Sequence, residues 1–398
     1  MTELRAGTPF EAGMRPERIE LARSRAAEWV KSGHTPSLVV LVARRGVIVL
    51  HEAFGKLVPE DNSPPLERDS IFPISSLTKP ITATAVMALV EDGLLGLNRP
   101  VVEYLPELCG AGTEQILVHH LLTHTSGLDG MQLGEFMAKR YQETIEIPQC
   151  EATQHPVIHE YLTRSWPAPM QTPPGELMSY CTYNYVLLGE ILRRVTGRSL
   201  ADFARERIFD PLGMTDTHYI APESILPRIV KRPAEAPFAR PGSPAPYSLN
   251  SRGFAATPWP DGGVLATARD LATFGQMFLN GGRYGSARIL SRAAVTEMTR
   301  NQIRGISGKF RFFVDATEAS WGFGWAVKSE EKWKYGHGTL PPIGTYFHGG
   351  AGGAMLWVDP ANEIVGVWLS VWMEMTDELE PISSLDLFQN VVTSAVED

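Results

Sequence analysis

Apolar positions between residues 16 and 32 recur at helical spacing, at Ile19, Leu21, Ala22, Ala26, Ala27, Trp29 and Val30, which predicts an amphipathic helix. The pattern then changes. Ser37-Leu38-Val39-Val40-Leu41-Val42-Ala43 is an apolar run rich in β-branched residues and reads as a buried strand. Arg44-Arg45-Gly46 supplies a tight turn, and Val47-Ile48-Val49-Leu50 a hairpin partner. Residues 75 to about 92 read as a helix with Ser75 as the expected N-cap and Gly93 as the expected C-cap. Pro80 sits about a turn inside it and removes a backbone donor, so a tight or kinked first turn is expected.

From about residue 95 to 300 the texture is mixed. Helical segments such as 184–195 and 270–279 alternate with loops, and residues 219–260 carry many of the 30 prolines. That stretch predicts long ordered loops over a pocket. Beyond residue 300, strand patterns return at 321–327, 344–348, 353–358 and 364–371, and a last helix is expected near 382–396. Strands at both ends and helices between predict an α/β (α+β) fold, in which an antiparallel sheet built from both termini is flanked by helices. The expected division is residues 1–94 with 301–398 as an α/β sandwich domain, and 95–300 as a mostly helical domain with long loops over the active-site cleft.

Size and composition add limits. A chain of 398 residues, 43% hydrophobic and 20% charged, has ample material for two globular units. The formal charge of −9 argues against nucleic acid or an anionic membrane as the main partner. Cys109, Cys150 and Cys181 are too few, and odd in number, for a disulfide framework. The first residues lack a signal-like apolar stretch, and no run approaches the ~18 apolar residues of a membrane span. A cytoplasmic setting is the expectation.

Candidate chemistry centres on Ser76-Leu77-Thr78-Lys79. A serine hydroxyl needs a base to become a nucleophile, and residues three apart share a helix face. Lys79 can therefore reach Ser76, and burial would favour its neutral form. The spacing alone is weak evidence, because Ser329-Glu330-Glu331-Lys332 has it too, in a charged surface-like run.

Context adds weight. Pro73-Ile74-Ser75-Ser76-Leu77-Thr78-Lys79-Pro80-Ile81-Thr82-Ala83 resembles the nucleophile segment of the serine β-lactamase and penicillin-binding protein superfamily. Four further segments resemble that superfamily in the same order: Leu121-Leu122-Thr123-His124-Thr125-Ser126-Gly127-Leu128, Pro174-Gly175-Glu176-Leu177-Met178-Ser179-Tyr180 with the following Asn184-Tyr185-Val186-Leu187-Leu188-Gly189, Gly262-Gly263-Val264-Leu265-Ala266-Thr267-Ala268-Arg269-Asp270-Leu271, and His348-Gly349-Gly350. The resemblance spans roughly residues 15 to 375. It is closest to class C β-lactamases, D-alanyl peptidases and, above all, family VIII carboxylesterases.

The resemblance implies a β-lactamase/transpeptidase-like fold and a set of roles. Ser76 is the implied nucleophile, Lys79 its proton partner, and Tyr180 a general base or acid. The backbone N–H groups of Ser76 and Ala351 are the implied oxyanion hole, and His348, Gly349, Gly350 and Thr182 line the substrate. Two departures bear on the substrate. Thr182 stands where the superfamily usually has asparagine, and His348 stands where lactamases have lysine. A neutral histidine is a poor partner for a substrate carboxylate.

Both departures favour a carboxylesterase acting on short-chain or bulky neutral esters through an acyl-enzyme (EC 3.1.1). The alternatives are a D-amino-acid peptidase or amidase, a weak β-lactamase, an acyltransferase, or a catalytically silent binding or scaffold relative. The expected partner is a small-molecule ester, with no cofactor and no metal. The oligomeric state stays open, a homodimer included.

Other signals are weaker. His155 and His159 are four apart, but Pro156 intervenes and no third ligand is suggested. His119, His120 and His124 cluster, with His124 expected to make a satisfied structural hydrogen bond. Trp166, Phe238, Tyr247, Trp259, Trp333, Tyr346 and Trp357 would form an apolar acyl or alcohol site if they met at one pocket. There is no G-x-S-x-G elbow, P-loop or dinucleotide fingerprint.

Overall fold

Among the described residues, seven strands drawn from both ends of the chain make the main sheet: β1 (Arg5–Ala6), β2 (Ser37–Arg44), β3 (Val47–Gly55), β4 (Ala326–Val327), β5 (Tyr346–Gly350), β6 (Ala354–Asp359) and β7 (Ile364–Ser370). The computed structural model describes residues 2–233, 248–310, 313–330, 338–371 and 380–397. Strand order is β1-β3-β2-β7-β6-β5-β4. The expected hairpin of β2 and β3 turns at Arg45 and Gly46, with φ +52° and +79°. Such left-handed angles suit a two-residue turn between twisted strands. All pairs are antiparallel except β1 with β3, where Arg5 faces Val47 and Ala6 faces Ile48. That parallel pair is reached through a helical crossover, as parallel neighbours require.

Five helices matter for the site: α1 (Pro16–Lys31), α2 (Thr78–Glu91), α3 (Tyr183–Thr196), α4 (Ala268–Leu279) and α5 (Glu380–Thr393). The continuous apolar run of β2 has a reason: both sides of the sheet are covered. Leu38, Val40 and Val42 share one cluster with Ile19, Ala22 and Ala26 of α1 and Leu385, Phe388 and Val392 of α5. Val39, Leu41 and Ala43 share another with Ile81 and Ala85 of α2 and Leu271, Phe274 and Phe278 of α4. Each fully buried Leu, Val or Phe contributes roughly 1.5–3 kcal/mol. Helix α3 is buried from Tyr183 to Arg193 and packs on α2, joining the helical middle to the layer that carries the nucleophile.

Differences from the sequence expectation are local. Residues 321–327 are not one strand. Gly322 N–H donates to the Trp325 carbonyl at 2.8 Å, and Gly324 has φ +86°, so the chain doubles back and only Ala326–Val327 pairs with β5. Ser75 is not a helix cap. It has φ +47° and opens a 3-10 turn, Ser75–Leu77, ahead of α2. Pro80 explains the tight start, because it has no N–H to give the Ser76 carbonyl. Of the proline-rich stretch, residues 234–247, with Phe238 and Tyr247, lie outside the described residues, as do Lys332 and Trp333. Among the described residues, no helix is long and apolar enough to cross a membrane.

Candidate active site

The nucleophile turn is held from both sides. Phe72 and Pro73 pair with Ala266 and Leu265, and Ile74 N–H donates to the Val264 carbonyl at 3.0 Å. Val264 N–H in turn donates to Thr78 Oγ1 at 3.1 Å. The left-handed Ser75 is a strained conformation of the kind that collects at functional sites. Ser76 is half-buried while Ser75 and Leu77 on either side are buried. Its hydroxyl is thus the part of the turn that a small molecule can reach.

Lys79 is fully buried. Its Nζ donates to Ser76 Oγ at 3.0 Å and to the Asp261 carbonyl at 2.7 Å. It also lies 5.2 Å from the Tyr180 ring centroid and 5.6 Å from that of Tyr185, close enough for both ring faces to stabilise a cation. Thr82 Oγ1 donates to the Pro260 carbonyl at 2.6 Å, tying the same loop to α2. The loop before Gly262 therefore fixes where the lysine ends.

Tyr180 follows the short strand Met178–Ser179, which runs parallel to Gly308–Phe310. Its N–H donates to the Lys309 carbonyl at 3.1 Å. The Tyr180 ring lies 4.4 Å from His124, 5.9 Å from Trp321 and 6.4 Å from His348, centroid to centroid. Burial pushes its phenol above the ordinary value, and the hydrogen bond with Ser76 partly opposes that. The resting phenol is consequently protonated at neutral pH.

His348 lies in β5, buried, with Nδ1 2.7 Å from the Gly349 carbonyl. That contact makes Nδ1 the N–H of the ring and leaves Nε2, which is buried without a partner among the described residues, as an acceptor. Burial, and next the Lys79 charge, push the His348 ring down to about 3. His124 is held well below its ordinary value by burial first, then by Lys79 and His348. Lys79 thus shares this pocket with two neutral histidines. At the end of β5 the chain meets the nucleophile turn. A Cβ on Gly350 would stand 2.0 Å from the Ile74 carbonyl oxygen, and Ala351 follows directly.

The fold brings Ser76, Lys79, Tyr180 and His348 together. Gly349 and Gly350 continue β5 beside them, and Thr182 sits half-buried just before α3. Asn184, two residues further on, is buried and accepts from Ser126 Oγ at 2.8 Å. His124 makes the expected structural hydrogen bond through one ring nitrogen. Its Nδ1 contacts the Cys181 carbonyl and N–H at 3.1 and 3.2 Å, but its Nε2 is buried without a partner among the described residues. Its ring serves as a wall against Tyr180.

The four described members of the aromatic set do not meet at the site. Trp357 packs on Phe388, Tyr346 on Phe278 and Trp325, Trp259 on Tyr161, and Trp166 under Arg194. His155 caps the helix Pro156–Ser165 by accepting from Val157 N–H, and the His159 ring contacts Gln154 and the Pro148 carbonyl. Sequence reading missed Trp321 and the Asp261 carbonyl. Trp321 was hidden in a stretch that resembled a strand, and Asp261 acts through its backbone, which no residue pattern encodes.

The buried histidines carry a pH consequence. A histidine kept neutral by the fold stabilises it above about 6.5, and that contribution is lost as the pH falls, because the unfolded chain then binds the proton. His124 and His348 behave so, with His120, pushed down to about 4 by burial, and His51, His119, His155 and His218, all lowered first by burial. Asp270 and Asp386, raised by burial to about 6 and about 7, act in the opposite sense over the same window. The histidines outnumber them, and each excluded proton is worth about 1.4 kcal/mol per pH unit at full burial. The melting temperature is expected to fall between about pH 6.5 and 4.5. Calorimetry across that range checks this, and a flat or rising curve on acidification would contradict it.

Comparison with known proteins bears on the family and the fold. The penicillin-binding protein 4 of Amycolatopsis lactamdurans is 29% identical over 370 residues, covering 91% of this chain and 86% of that one. The esterase EstB of Burkholderia gladioli is 35% identical over 189 residues, 46% of this chain and 47% of that one. Among solved structures, EstCE1, described as a hydrolase with promiscuous acyltransferase activity, superposes with a TM-score of 0.73 at 21% identity, covering 95% of this chain and 99% of that one. Ser76, Lys79, Tyr180 and all of β5 fall inside residues 22–385, which match the description of the beta-lactamase family, and the chain belongs to that family.

Proposed function

We propose that this protein is a serine carboxylesterase that acylates Ser76 with neutral esters. The observation that carries the reading is His348. The position where lactamases have a cation is filled by a buried ring pushed down to about 3. A substrate carboxylate would lose its hydration there without gaining a fixed positive partner, whereas a neutral ester has no such penalty. The esterase named among the relatives supports the same direction.

In the proposed reaction the neutral amine of Lys79, 3.0 Å from Ser76 Oγ, takes the hydroxyl proton and becomes the ammonium as Oγ attacks the ester carbonyl carbon. The raised phenol of Tyr180 makes it a weaker candidate for first proton acceptor and a better one for relay. Tyr180 gives its proton to the departing alkoxide and is reprotonated from Lys79. The tetrahedral oxyanion is held by the N–H groups of Ser76 and Ala351, each such donor contributing about 3 kcal/mol in the transition state. Water then attacks the Ser76 ester, protons retrace the path, and the acid leaves with Ser76 restored. Thr182, Gly349 and Gly350 line the substrate. The sandwich of residues 1–94 with 301–398 and the helical unit of 95–300 would face each other across this cleft, α4 excepted, since it packs on the sheet and goes with the sandwich.

The test pairs p-nitrophenyl butyrate with a chromogenic cephalosporin and follows the Ser76 adduct by mass spectrometry. Ester turnover with a transient acyl group on Ser76, and little cephalosporin turnover, is the expected result. Preferential cephalosporin hydrolysis would move the protein to the lactamase reading. No turnover and no adduct with either would favour a silent scaffold.

Gly350 offers a second check. Its absent side chain lets β5 touch the nucleophile turn, since a Cβ would lie 2.0 Å from Ile74 O and 3.1 Å from Ala354 Cβ. Gly350→Ala should force the strand end away from Ser76 and separate the two oxyanion donors. The expected result is a kcat loss of about 100-fold, with a stability loss of about 1–3 kcal/mol from overpacking. Michaelis kinetics and thermal melting measure the two parts. Unchanged kcat would remove β5 from the oxyanion site.

A further inference from the structure

The turn that carries Ala351 has almost no side chains to hold it. Gly349, Gly350, Gly352 and Gly353 surround Ala351, and the last two take φ +97° and +114°. Glycines in this region are conformationally loose, yet an oxyanion donor must be held still. Hydrogen bonds donated to the turn's carbonyls are what remain to fix it. At one end the Gly353 carbonyl accepts from Ser370 N–H at 2.9 Å and from Ser370 Oγ at 3.0 Å. At the other, the Gly352 carbonyl accepts from Arg232 Nη1 at 2.8 Å.

Arg232 is itself fixed. It is 5% exposed, and its backbone N–H and carbonyl both bond the Asn250 side chain at 2.8 Å. The guanidinium presses on the turn so closely that a Cβ on Gly352 would stand 2.5 Å from Nη1. Just upstream, Ile71 N–H donates to the Arg228 carbonyl at 2.9 Å and Val230 N–H to the Ile71 carbonyl at 2.8 Å. Ile71 begins the segment that runs through Phe72 and Ile74 to Ser76. Residues 228–232 therefore grip both parts of the site, the root of the nucleophile turn through their backbone and the Ala351 turn through one side chain.

We propose that Arg232 is a positioning residue for catalysis, its guanidinium clamping the 351–353 turn so that the Ala351 N–H stays aimed at the oxyanion formed on Ser76. The proposal rests on the oxyanion role given to Ala351 above. Arginine suits the task because its planar, charge-assisted donor fixes direction as well as distance. Burial lowers it only to about 10, so it remains a cation at neutral pH and adds positive potential beside the developing negative charge.

The test compares wild type, Arg232→Gln and Arg232→Lys on p-nitrophenyl butyrate and on its thionoester. Sulfur accepts hydrogen bonds weakly, so a working oxyanion hole favours the oxygen ester. Arg232→Gln should lose about 100-fold in kcat, with KM nearly unchanged, and its preference for the oxygen ester should shrink in parallel. Arg232→Lys should lie between the two. General loosening would lower both esters equally, and that result, or unchanged kcat and preference, would overturn the proposal. Thermal melting checks that each variant is folded, and if the glutamine variant is not, the lysine variant decides by the same ratio. A wild type that neither hydrolyses ester nor acylates Ser76 would overturn the esterase reading together with this one. An active wild type with unaffected variants would overturn this one alone.

Discussion

Replacing Ser76 with alanine should reduce ester turnover by about 10⁴-fold or more, since loss of a serine nucleophile in comparable enzymes removes nearly all covalent catalysis. The residual rate would come from binding and the oxyanion donors acting on water. The reason is geometric. Ser76 Oγ is bonded to Lys79 at 3.0 Å and to Tyr180, and it is the accessible hydroxyl of a turn whose other residues are buried. The neighbouring Ser75 cannot substitute, because its left-handed backbone belongs to a buried residue whose Oγ has no partner among the described residues. The measurement is kcat/KM on p-nitrophenyl butyrate together with the acyl adduct by mass spectrometry. Full activity in Ser76→Ala would end the acyl-enzyme mechanism.

Lys79→Met should separate catalysis from stability. The substitution keeps length and removes the amine, so Ser76 loses its proton acceptor. Acid–base partners of this kind contribute about 10²–10⁴-fold, and the upper end is expected here because Tyr180, whose ring lies 5.2 Å from Lys79 Nζ, would also lose its source of reprotonation. Folding should not suffer in proportion. Lys79 is fully buried, and taking an amine out of water is costly even when it is well bonded. Methionine at this position leaves the Asp261 carbonyl without its 2.7 Å donor, an offsetting cost of about 1–3 kcal/mol. The expected pair of results is kcat down by about 10³-fold or more and a melting temperature within a few degrees of wild type. Retained kcat would mean that Tyr180 alone activates Ser76.

Several features of the site follow from local pattern. The helix that aligns Ser76 with Lys79 is encoded by residues three apart, and the nearly continuous apolar runs of α2 and β2 declare that these elements will be buried. Pro80 announces the tightened turn ahead of α2 because its missing N–H acts within four residues. Trp321 could not be read in this way. Its stretch alternates like a strand, and only the left-handed Gly324 and the bond from Gly322 to Trp325 turn it back toward Tyr180. Trp357 shows the reverse, an aromatic whose chemistry suggested a binding wall and whose strand register sends it to the opposite layer, against Phe388.

What the sequence by itself determined was the family, the order of strands and helices, and the residue types able to form an acyl-enzyme. These depend on short-range periodicity and on motifs whose members lie within a few positions of one another. What only the tertiary structure decided was the environment of those residues. Lys79 is fixed by a carbonyl 182 positions away, His348 is stripped of its proton by burial beside Lys79, and Arg232 reaches a turn 120 positions ahead. The apolar run from Ser37 to Ala43 predicts a buried strand. That the same sheet would carry β5 and its glycine turn to within touching distance of Ser76 required the packing itself, because desolvation and long-range hydrogen bonds exist only once distant segments have met.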